Sequence, residues 1–212
     1  MLDEKMREER SGTLGSLIDE AIPDNVTVFV DSRLNNYSAK YTPEGSSPNS
    51  AAEVIQMCAN AGEDILRCDR DGAVYVEPLN KTLTDYRITQ ALSYSHPEVS
   101  LSKPLKTVTV DYGSDTPYEL THSNNGETRS VSNKLIQDST RAASVAQWVN
   151  GVLKNRKTVS GEFRADPRLD LYDVVTVESK YGALTPVVIT NIKYTFNGSF
   201  RGSYEGRVLE VE

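Results

Sequence analysis

The sequence predicts an α+β fold: an N-terminal α/β module followed by a mainly β module that ends in a small barrel-like hairpin set. Apolar residues at helical spacing over 51–62 and about 139–156 predict two helices. Alternating apolar and polar residues over 157–210, interrupted by turn formers, predict several strands. The 212 residues suit one domain or two modest ones, and we place the modules at 1–103 and 104–212.

The composition is that of an ordinary globular protein, with 38% hydrophobic and 25% charged residues. Every apolar run is much shorter than the roughly 20 residues of a membrane span, so we expect no membrane insertion. The net charge of −7 and the pI of about 5.0 argue against nucleic-acid binding, because phosphate recognition needs a concentrated basic face.

The first predicted element is a helix that ends before Pro23, and its apolar residues keep helical spacing. These residues are Leu14, Leu17, Ile18 and Ala21. The first dozen residues have little to bury, so we expect them to fray. Residues 1–6 are charged and lack an apolar signal core, which predicts synthesis in a cytoplasm.

A strand over 26–30 and a polar, turn-rich link over 31–47 precede the clearest helix start. Ser50 and Glu53 form a capping box, in which each side chain accepts a backbone N–H of the other residue. Gly62 fits the left-handed position that follows a helix. The inner face of this helix is predicted to hold Ala51, Ile55, Cys58 and Gly62.

Two short strands, 65–68 and 73–76, flank the loop 69–72, and two readings of this loop remain open. Asp71 and Gly72 favour a hairpin turn, since both tolerate positive φ. The same acidic loop could hold a calcium ion, although it supplies only half of the ligands that an EF-hand loop has.

The two cysteines, Cys58 and Cys68, are interpreted as buried free thiols in a reducing compartment. A disulfide between them is the alternative. Two cysteines without a secretory signal do not make a disulfide framework.

Residues 84–103 are predicted to form a connector, because Pro97 and Pro104 resist a continued helix. The segment 104–136 then predicts strands joined by exposed turns, with strands at 107–112 and 131–136. The third predicted helix, from Ser139, has an apolar stripe at a period of 3.6 residues.

The C-terminal stretch predicts strands at 174–177, 187–189 and 192–196. The pair Asn197-Gly198 supplies the two positive-φ residues of a type I′ hairpin turn. Gly202 and Gly206 lie inside the last alternating run, where glycine marks a bend, a bulge or a close backbone approach.

Several of these segments, in this order, resemble bacteriophage and prophage tail proteins of the hub and tail-tip (baseplate) class. The segment 164–177, with its Asp-Pro-x-Leu turn, and the segment 188–198 are similar to the C-terminal part of those proteins. The family pattern often has glycine where Tyr172 stands. The segments 31–34, 41–45, 51–62, 68–72 and 74–79 are similar to their α/β module.

The resemblance implies a non-enzymatic structural protein of the virion tail, made in the bacterial cytoplasm. It also implies a compact C-terminal barrel, other tail or baseplate proteins as partners, and a homo-oligomeric ring around the tail axis, with a trimer favoured. An acidic lumen would let DNA pass without sticking. The hub proteins are longer, and their N-terminal barrel has no counterpart ahead of Met1, so we expect a fragment or a reduced form.

Two alternative functions stay open. One is a carbohydrate-binding or cell-wall-degrading tail-associated protein, which needs an aromatic groove or two facing carboxylates. The other is a hub-like component of a contractile injection or secretion machine, since such machines share tail-hub architecture.

We predict no catalytic, cofactor-binding or metal-ligating residue. His96 and His122 lie outside any metal-binding spacing, and no nucleotide-binding or nucleophile motif follows a strand. The acidic residues near turns are the remaining candidates: Asp111, Asp115, Asp166, Asp170 and Asp173. The resemblance assigns Asp166 and Asp173 a structural role, as acceptors for turn amides.

Eleven tyrosines suggest an aromatic interaction surface. Four of them lie in turn-like, polar surroundings and are predicted to contact protein partners, with sugar stacking as the alternative: Tyr37, Tyr41, Tyr94 and Tyr118. Four others alternate within predicted strands and are expected to pack in the core or sheets: Tyr75, Tyr112, Tyr194 and Tyr204.

Overall fold

The computed structural model describes residues 5–43, 48–79 and 82–209. Parts of two predicted segments, residues 1–4 of the charged N-terminus and 44–47 of the polar link, lie outside this range. Most of the secondary-structure elements in the described residues are strands and the others are helices, so the α+β class is confirmed. The helices are α1 (Leu14–Ala21), α2 (Ala51–Gly62) and α3 (Ser139–Leu153), with a 3-10 helix at Ser32–Asn36.

The strands are numbered in chain order. The first seven are β1 (Arg10–Thr13), β2 (Val28–Val30), β3 (Ser38–Tyr41), β4 (Ile65–Cys68), β5 (Val74–Glu77), β6 (Leu83–Ile88) and β7 (Glu98–Leu101). The others are β8 (Leu105–Asp111), β9 (Tyr118–Thr121), β10 (Glu127–Ser132), β11 (Lys157–Arg164), β12 (Val174–Glu178), β13 (Leu184–Phe196) and β14 (Phe200–Val208).

The chain divides into two compact units that alternate along the sequence. Unit 1 comprises Met1–Leu79 and Leu105–Val152, and unit 2 comprises Asn80–Pro104 and Leu153–Glu212. Each unit therefore contains two separate stretches of chain. The division into modules at 1–103 and 104–212 stays a prediction.

Unit 1 holds three small sheets and the helices α1 and α2, which pack against each other. Strand β1 pairs with β3, β5 lies between β2 and β4, and β8 lies between β10 and β9. The predicted fraying of the first dozen residues is wrong for residues 10–12, which belong to β1 and pair with β3, inside the predicted link. These residues are ordered because they pair with a distant strand, which their local composition does not indicate.

The capping box of α2 is confirmed. Glu53 N donates to Ser50 Oγ (3.3 Å), and Ser50 N donates to Glu53 Oε2 (2.6 Å), which lowers the pKa of Glu53. The predicted left-handed role of Gly62 is wrong, since Glu63 takes that conformation with φ 64°. Gly62 is the last helical residue, and a Cβ there would overlap the side chain of Leu34.

The segment before α3 differs from its prediction. Strand β10 ends at Ser132, and Asn133 begins a turn in which its side-chain amide donates to Met57 O (2.8 Å). Leu135 and Ile136, predicted to lie in the strand, are buried beyond that turn. Helix α3 starts at Ser139 as predicted and ends at Leu153, a few residues early.

The acidic loop 69–72 is a hairpin turn between β4 and β5. Asp69 Oδ1 accepts the backbone N–H groups of Asp71 (3.0 Å) and Ala73 (2.9 Å), and Gly72 has φ 83°. The Asp69 carboxylate is thus occupied by the turn. Of the predicted pair, Gly72 alone takes positive φ.

Both cysteines are free thiols, but they differ in exposure. Cys58 is fully buried in α2, and burial raises the pKa of its thiol to about 12. Cys68 is exposed at the end of β4, so the prediction that it is buried is wrong.

We expect a thiol reagent such as Ellman's reagent to modify one cysteine rapidly in the native protein. Cys68 is accessible, whereas Cys58 is shielded and stays protonated at neutral pH. The measurement is the thiol count with and without denaturant. Cys68→Ser should abolish the fast phase and Cys58→Ser should leave it unchanged; fast labelling that survives Cys68→Ser would contradict the assignment.

Unit 2 is built on one six-stranded sheet with the order β6-β12-β13-β14-β11-β7. The predicted connector at 84–103 is wrong, because it contains β6 and β7, the two outer strands. Strand β6 pairs with β12 in parallel, and β7 pairs with β11 in antiparallel orientation. These polar strands depend on partners far away in sequence, which the local pattern did not reveal.

The two predicted strands 187–189 and 192–196 are a single strand, β13, with an irregularity between Ile189 and Asn191. The type I′ prediction is also wrong. Phe196 pairs with Phe200, so three residues connect β13 to β14, and Gly198 alone among them has positive φ (73°). Phe196, the last residue of the predicted strand 192–196, is 79% exposed.

The core of unit 2 fills the space that the glycines of β14 leave open. Phe163 lies opposite Gly202, where a Cβ would stand 2.5 Å from the ring, and a Cβ on Gly206 would overlap Val187. The Phe163 and Tyr204 rings meet edge to face, with centroids 5.7 Å apart. The predicted close backbone approach is confirmed at both glycines, and closure of this sheet into a barrel stays a prediction.

The turn before β12 holds a non-glycine residue in the left-handed region. Tyr172 has φ 68°, at the position where the resembling family often has glycine. Its backbone N–H donates to Ile189 O (2.8 Å), and the Asp173 carboxylate accepts the N–H of Asp170 (2.9 Å). These hydrogen bonds hold the turn in shape, although the Cβ of Tyr172 makes its left-handed conformation energetically unfavourable.

We expect Tyr172→Gly to be more stable than Tyr172→Ala by about 1 kcal/mol, since both lack the ring and only alanine keeps the strained Cβ. Urea unfolding followed by circular dichroism measures the difference. A glycine variant less stable than the alanine variant would show that the left-handed φ carries no strain here.

Candidate interaction surfaces

The four tyrosines predicted to form an interface lie in different environments. Tyr41 is 2% exposed at the end of β3, and its hydroxyl donates to Met6 O (3.1 Å). Its predicted polar, turn-like surroundings are therefore wrong, and it is a core residue of unit 1. The other three, Tyr37, Tyr94 and Tyr118, are at least partly accessible.

Tyr37 is 39% exposed and follows the 3-10 helix. The guanidinium of Arg141 lies 3.8 Å from its ring centroid, in the geometry of a cation–π contact. Arg141 is itself buried, donates to Ala61 O and pairs with Glu63 Oε1 (3.0 Å). The buried Arg141 side chain thus supports one face of the Tyr37 ring, and the ring remains partly accessible to solvent.

A second buried charge lies beside the same end of α2. Asp64 has a fully buried side chain, and its Oδ1 accepts a hydrogen bond from Arg33 Nη2 (2.6 Å). Its other oxygen, Oδ2, has no hydrogen-bond partner among the described residues. Burial raises the pKa of the Asp64 carboxyl to about 6, despite the opposing effect of Arg33.

Tyr94, 47% exposed, borders a cleft of about 630 Å³ in unit 2. Arg164 and Arg201 are direct cross-strand neighbours on β11 and β14, so their side chains share the face opposite to Phe163. The Arg201 guanidinium lies 4.7 Å from the Tyr94 ring centroid and donates to Ser199 Oγ (3.2 Å). Tyr94, Arg164 and Ser199 line this cleft, and Arg201 contacts Tyr94 and Ser199; we call these four residues the arginine cleft.

The two arginines of the arginine cleft form no ion pair among the described residues. Within residues 5–43, 48–79 and 82–209, no carboxylate forms an ion pair with Arg164 or Arg201. The nearby Asp166 is engaged by Arg168, whose Nη2 lies 2.7 Å from Asp166 Oδ2. Like charges placed directly across a sheet repel each other. The two arginines therefore repel each other within one copy, and no ion pair offsets that repulsion.

Tyr118 is half-buried as the first residue of β9, opposite the buried Val110. The turn before it, 112–117, is exposed at its tip and contains Asp115. The hairpin 107–121 has three carboxylates and no lysine or arginine. We call this segment the acidic hairpin.

Charge is divided unequally between the two units. Unit 1 contains 11 Lys and Arg against 20 Asp and Glu, and unit 2 contains 12 against 10, which gives formal charges of −9 and +2. The overall charge of −7 thus conceals a strongly acidic unit and a weakly basic one. Sequence reasoning missed this division because the units are not continuous in sequence.

Other exposed aromatics were not among the predicted site residues. Tyr181 is 89% exposed in the turn between β12 and β13. Phe29 is 51% exposed and stacks on Tyr75, with ring centroids 4.8 Å apart, and Arg67 covers the Tyr75 ring at 4.2 Å. Phe29 alternates with the half-buried Val28 and Val30 along β2, and this alternation was the available signal for its outward orientation.

The acidic residues near turns have structural contacts. Asp166 Oδ1 accepts the Arg168 N–H (3.0 Å), and Asp111 Oδ1 accepts the Gly113 N–H (3.1 Å), as expected for turn carboxylates. Asp173 also borders a cleft of about 250 Å³, together with the exposed Asp85 and the half-buried Tyr86. Burial raises the pKa of Tyr86, and Asp166 adds to that effect.

Among the described residues, no group of three or more His, Cys, Asp or Glu side chains could hold a metal ion. No helix within residues 5–43, 48–79 and 82–209 has the length and apolar character needed to cross a membrane.

No family model matches the sequence, and no curated protein is similar to it. Solved structures do match the fold. The 43 kDa tail protein of prophage MuSo2 from Shewanella oneidensis superimposes on 92% of this chain with a TM-score of 0.66 and 15% identity. A tail protein from Neisseria meningitidis MC58 superimposes on 96% with a TM-score of 0.69 and 10% identity.

A third similar structure is the Escherichia coli c3393 protein, a type VI secretion system component with structural similarity to the bacteriophage T4 tail proteins gp27 and gp5. It covers 97% of this chain with a TM-score of 0.52 and 8% identity. The chain spans 65%, 69% and 52% of the lengths of these three proteins. The chain thus has the fold of phage tail proteins, and the resemblance read from its sequence is confirmed at the level of the fold.

Proposed function

We propose that this chain is a non-enzymatic structural component of a phage or prophage tail, of the hub or tail-tip class. The observation that carries the proposal is the similarity to two tail proteins over 92% and 96% of the chain. Its contacts would be made with other tail or baseplate proteins. The exposed aromatics and uncompensated charges on both units are the surfaces available for them.

The test is to find the chain in particles. After prophage induction of the bacterium that encodes it, we expect mass spectrometry to detect the chain in purified tails and immunogold labelling to mark one tail end. Absence from the particles, or labelling along the head, would contradict the proposal. Peptidoglycan zymography of the purified chain should show no clearing, and clearing that Asp85→Asn or Asp173→Asn abolishes would favour the wall-degrading alternative.

A ring of identical chains, with a trimer favoured, is the assembly that fits this role. Closed rings arise when two different patches of one chain meet head to tail, and the two units differ in charge. Light scattering after size exclusion should give three times the 23.4 kDa mass of one chain at high concentration. A mass that stays at one chain would count against self-assembly of this chain alone.

A hub-like role in a contractile injection or secretion machine is the second candidate, because the similar c3393 protein belongs to a type VI secretion system. The same induction experiment separates the two. Headed, DNA-containing particles carrying the chain support a phage tail, whereas headless contractile particles support an injection machine.

A further inference from the structure

We propose that the arginine cleft of unit 2 receives the acidic hairpin of a second copy of this chain. This inference deepens the proposed structural role, because it names the two surfaces through which copies would associate.

The cleft is suited to an anionic protein segment. Arg164 and Arg201 place two guanidinium groups on one face without a carboxylate partner among the described residues. The Tyr94 ring contacts the Arg201 guanidinium, which also donates a hydrogen bond to Ser199 Oγ. These two contacts position the guanidinium before a ligand binds. Both guanidinium groups offer the forked donors that carboxylates accept, and that of Arg201 is held by these contacts.

The shape and surroundings favour a loop over a simple anion. The cleft measures about 630 Å³ and is lined by Leu92 and Phe200 as well as by polar groups. A polypeptide turn can bury apolar surface against these walls, whereas a free phosphate would leave the walls exposed to water. Glu162 lies two residues before Arg164 on the same strand face, so it limits the charge that the cleft can attract.

The acidic hairpin has the complementary properties. Asp115 lies at an exposed turn and forms no ion pair within the described part of the chain, while Asp111 is held by the Gly113 N–H (3.1 Å). No basic side chain between residues 107 and 121 neutralises it. Unit 1 carries −9 and unit 2 carries +2, so the field of one copy would orient the other.

The test is a charge exchange measured by sedimentation equilibrium. We expect Arg201→Glu and Asp115→Lys each to weaken self-association about tenfold or more. The double variant Arg201→Glu/Asp115→Lys should return to within about threefold of the wild type, since the reversed charges attract again. Added salt should weaken the wild-type association, because both surfaces are exposed before contact.

Lys180→Glu is the matched control, since it makes the same charge change in unit 2 beside the Tyr181 ring and outside the cleft. It should associate as the wild type does. Circular dichroism verifies that every variant is folded. Failure of the double variant to recover, or unchanged association of Arg201→Glu, would overturn the docking of these two surfaces.

A wild-type chain that stays monomeric at all concentrations would also overturn it. The structural role is decided separately by whether the chain is present in tails, so the two failures are distinguishable.

Discussion

Replacing Arg33 with alanine should destabilise unit 1 by about 2–3 kcal/mol at pH 8. The substitution leaves the fully buried Asp64 carboxylate without its charged partner at 2.6 Å. Breaking a buried ion pair costs about 3–5 kcal/mol, and we expect less here because the Arg33 side chain is 49% exposed. Urea unfolding followed by the fluorescence of Trp148, the single tryptophan and a residue of unit 1, measures the loss.

The sign of the pH dependence follows from the raised pKa of Asp64. Its pKa is about 6 in the folded protein, against a reference value of 3.8. The folded state therefore holds a proton more tightly than the unfolded state, and stability relative to Asp64→Asn falls as pH rises from about 4 to about 6. Removing Arg33 raises this pKa further, so the Arg33→Ala deficit should be small near pH 4 and full at pH 8.

Arg129→Ala is the matched control, since this arginine of unit 1 pairs with Glu127 at the surface and is 58% exposed. We expect a change of about 0.5 kcal/mol or less. The double variant Arg33→Ala/Asp64→Asn should lose most of the pH dependence between pH 4 and 8. A deficit of Arg33→Ala that is equal at pH 4 and pH 8 would show that the buried charge is not its cause.

Replacing Phe163 with alanine should destabilise unit 2 by about 3–4 kcal/mol. The ring is fully buried in the core, opposite Gly202 and edge to face with Tyr204, so its removal leaves a cavity among strands that cannot collapse freely. Far-ultraviolet circular dichroism in urea measures the change, because the tryptophan lies in the other unit.

Gly202 supplies the control for this prediction. Gly202→Ala in the wild type should cost about 1–3 kcal/mol, since the added Cβ would stand 2.5 Å from the Phe163 ring. In the Phe163→Ala background the same substitution should cost little, because the ring is gone. A double-mutant cycle without a coupling of at least about 1 kcal/mol would contradict the close packing of this pair.

The arginine cleft and the acidic hairpin bear on how a chain of this kind assembles. A charge that is uncompensated within one copy costs energy until a partner supplies the opposite sign, so assembly removes a cost already present in the monomer. Tyr94, one of the tyrosines predicted to form an interface, lies beside Arg201 and would orient its guanidinium in the proposed contact.

The sequence by itself determined the features that depend on near neighbours. The capping box at Ser50 and Glu53 and the turn carboxylate of Asp166 each involve contacts within a few residues, so residue type and spacing suffice. The order of such segments also indicated the tail-protein fold that the structural comparisons confirm.

Tertiary structure alone decided which distant segments meet. Strands β6 and β7 exist because β12 and β11 pair with them, and Tyr41 is buried because β3 returns to β1. Arg164 and Arg201 become neighbours across a strand pair formed by segments 37 positions apart at that point. Such pairings depend on the register and burial of a whole sheet, and no local pattern of residue types encodes them.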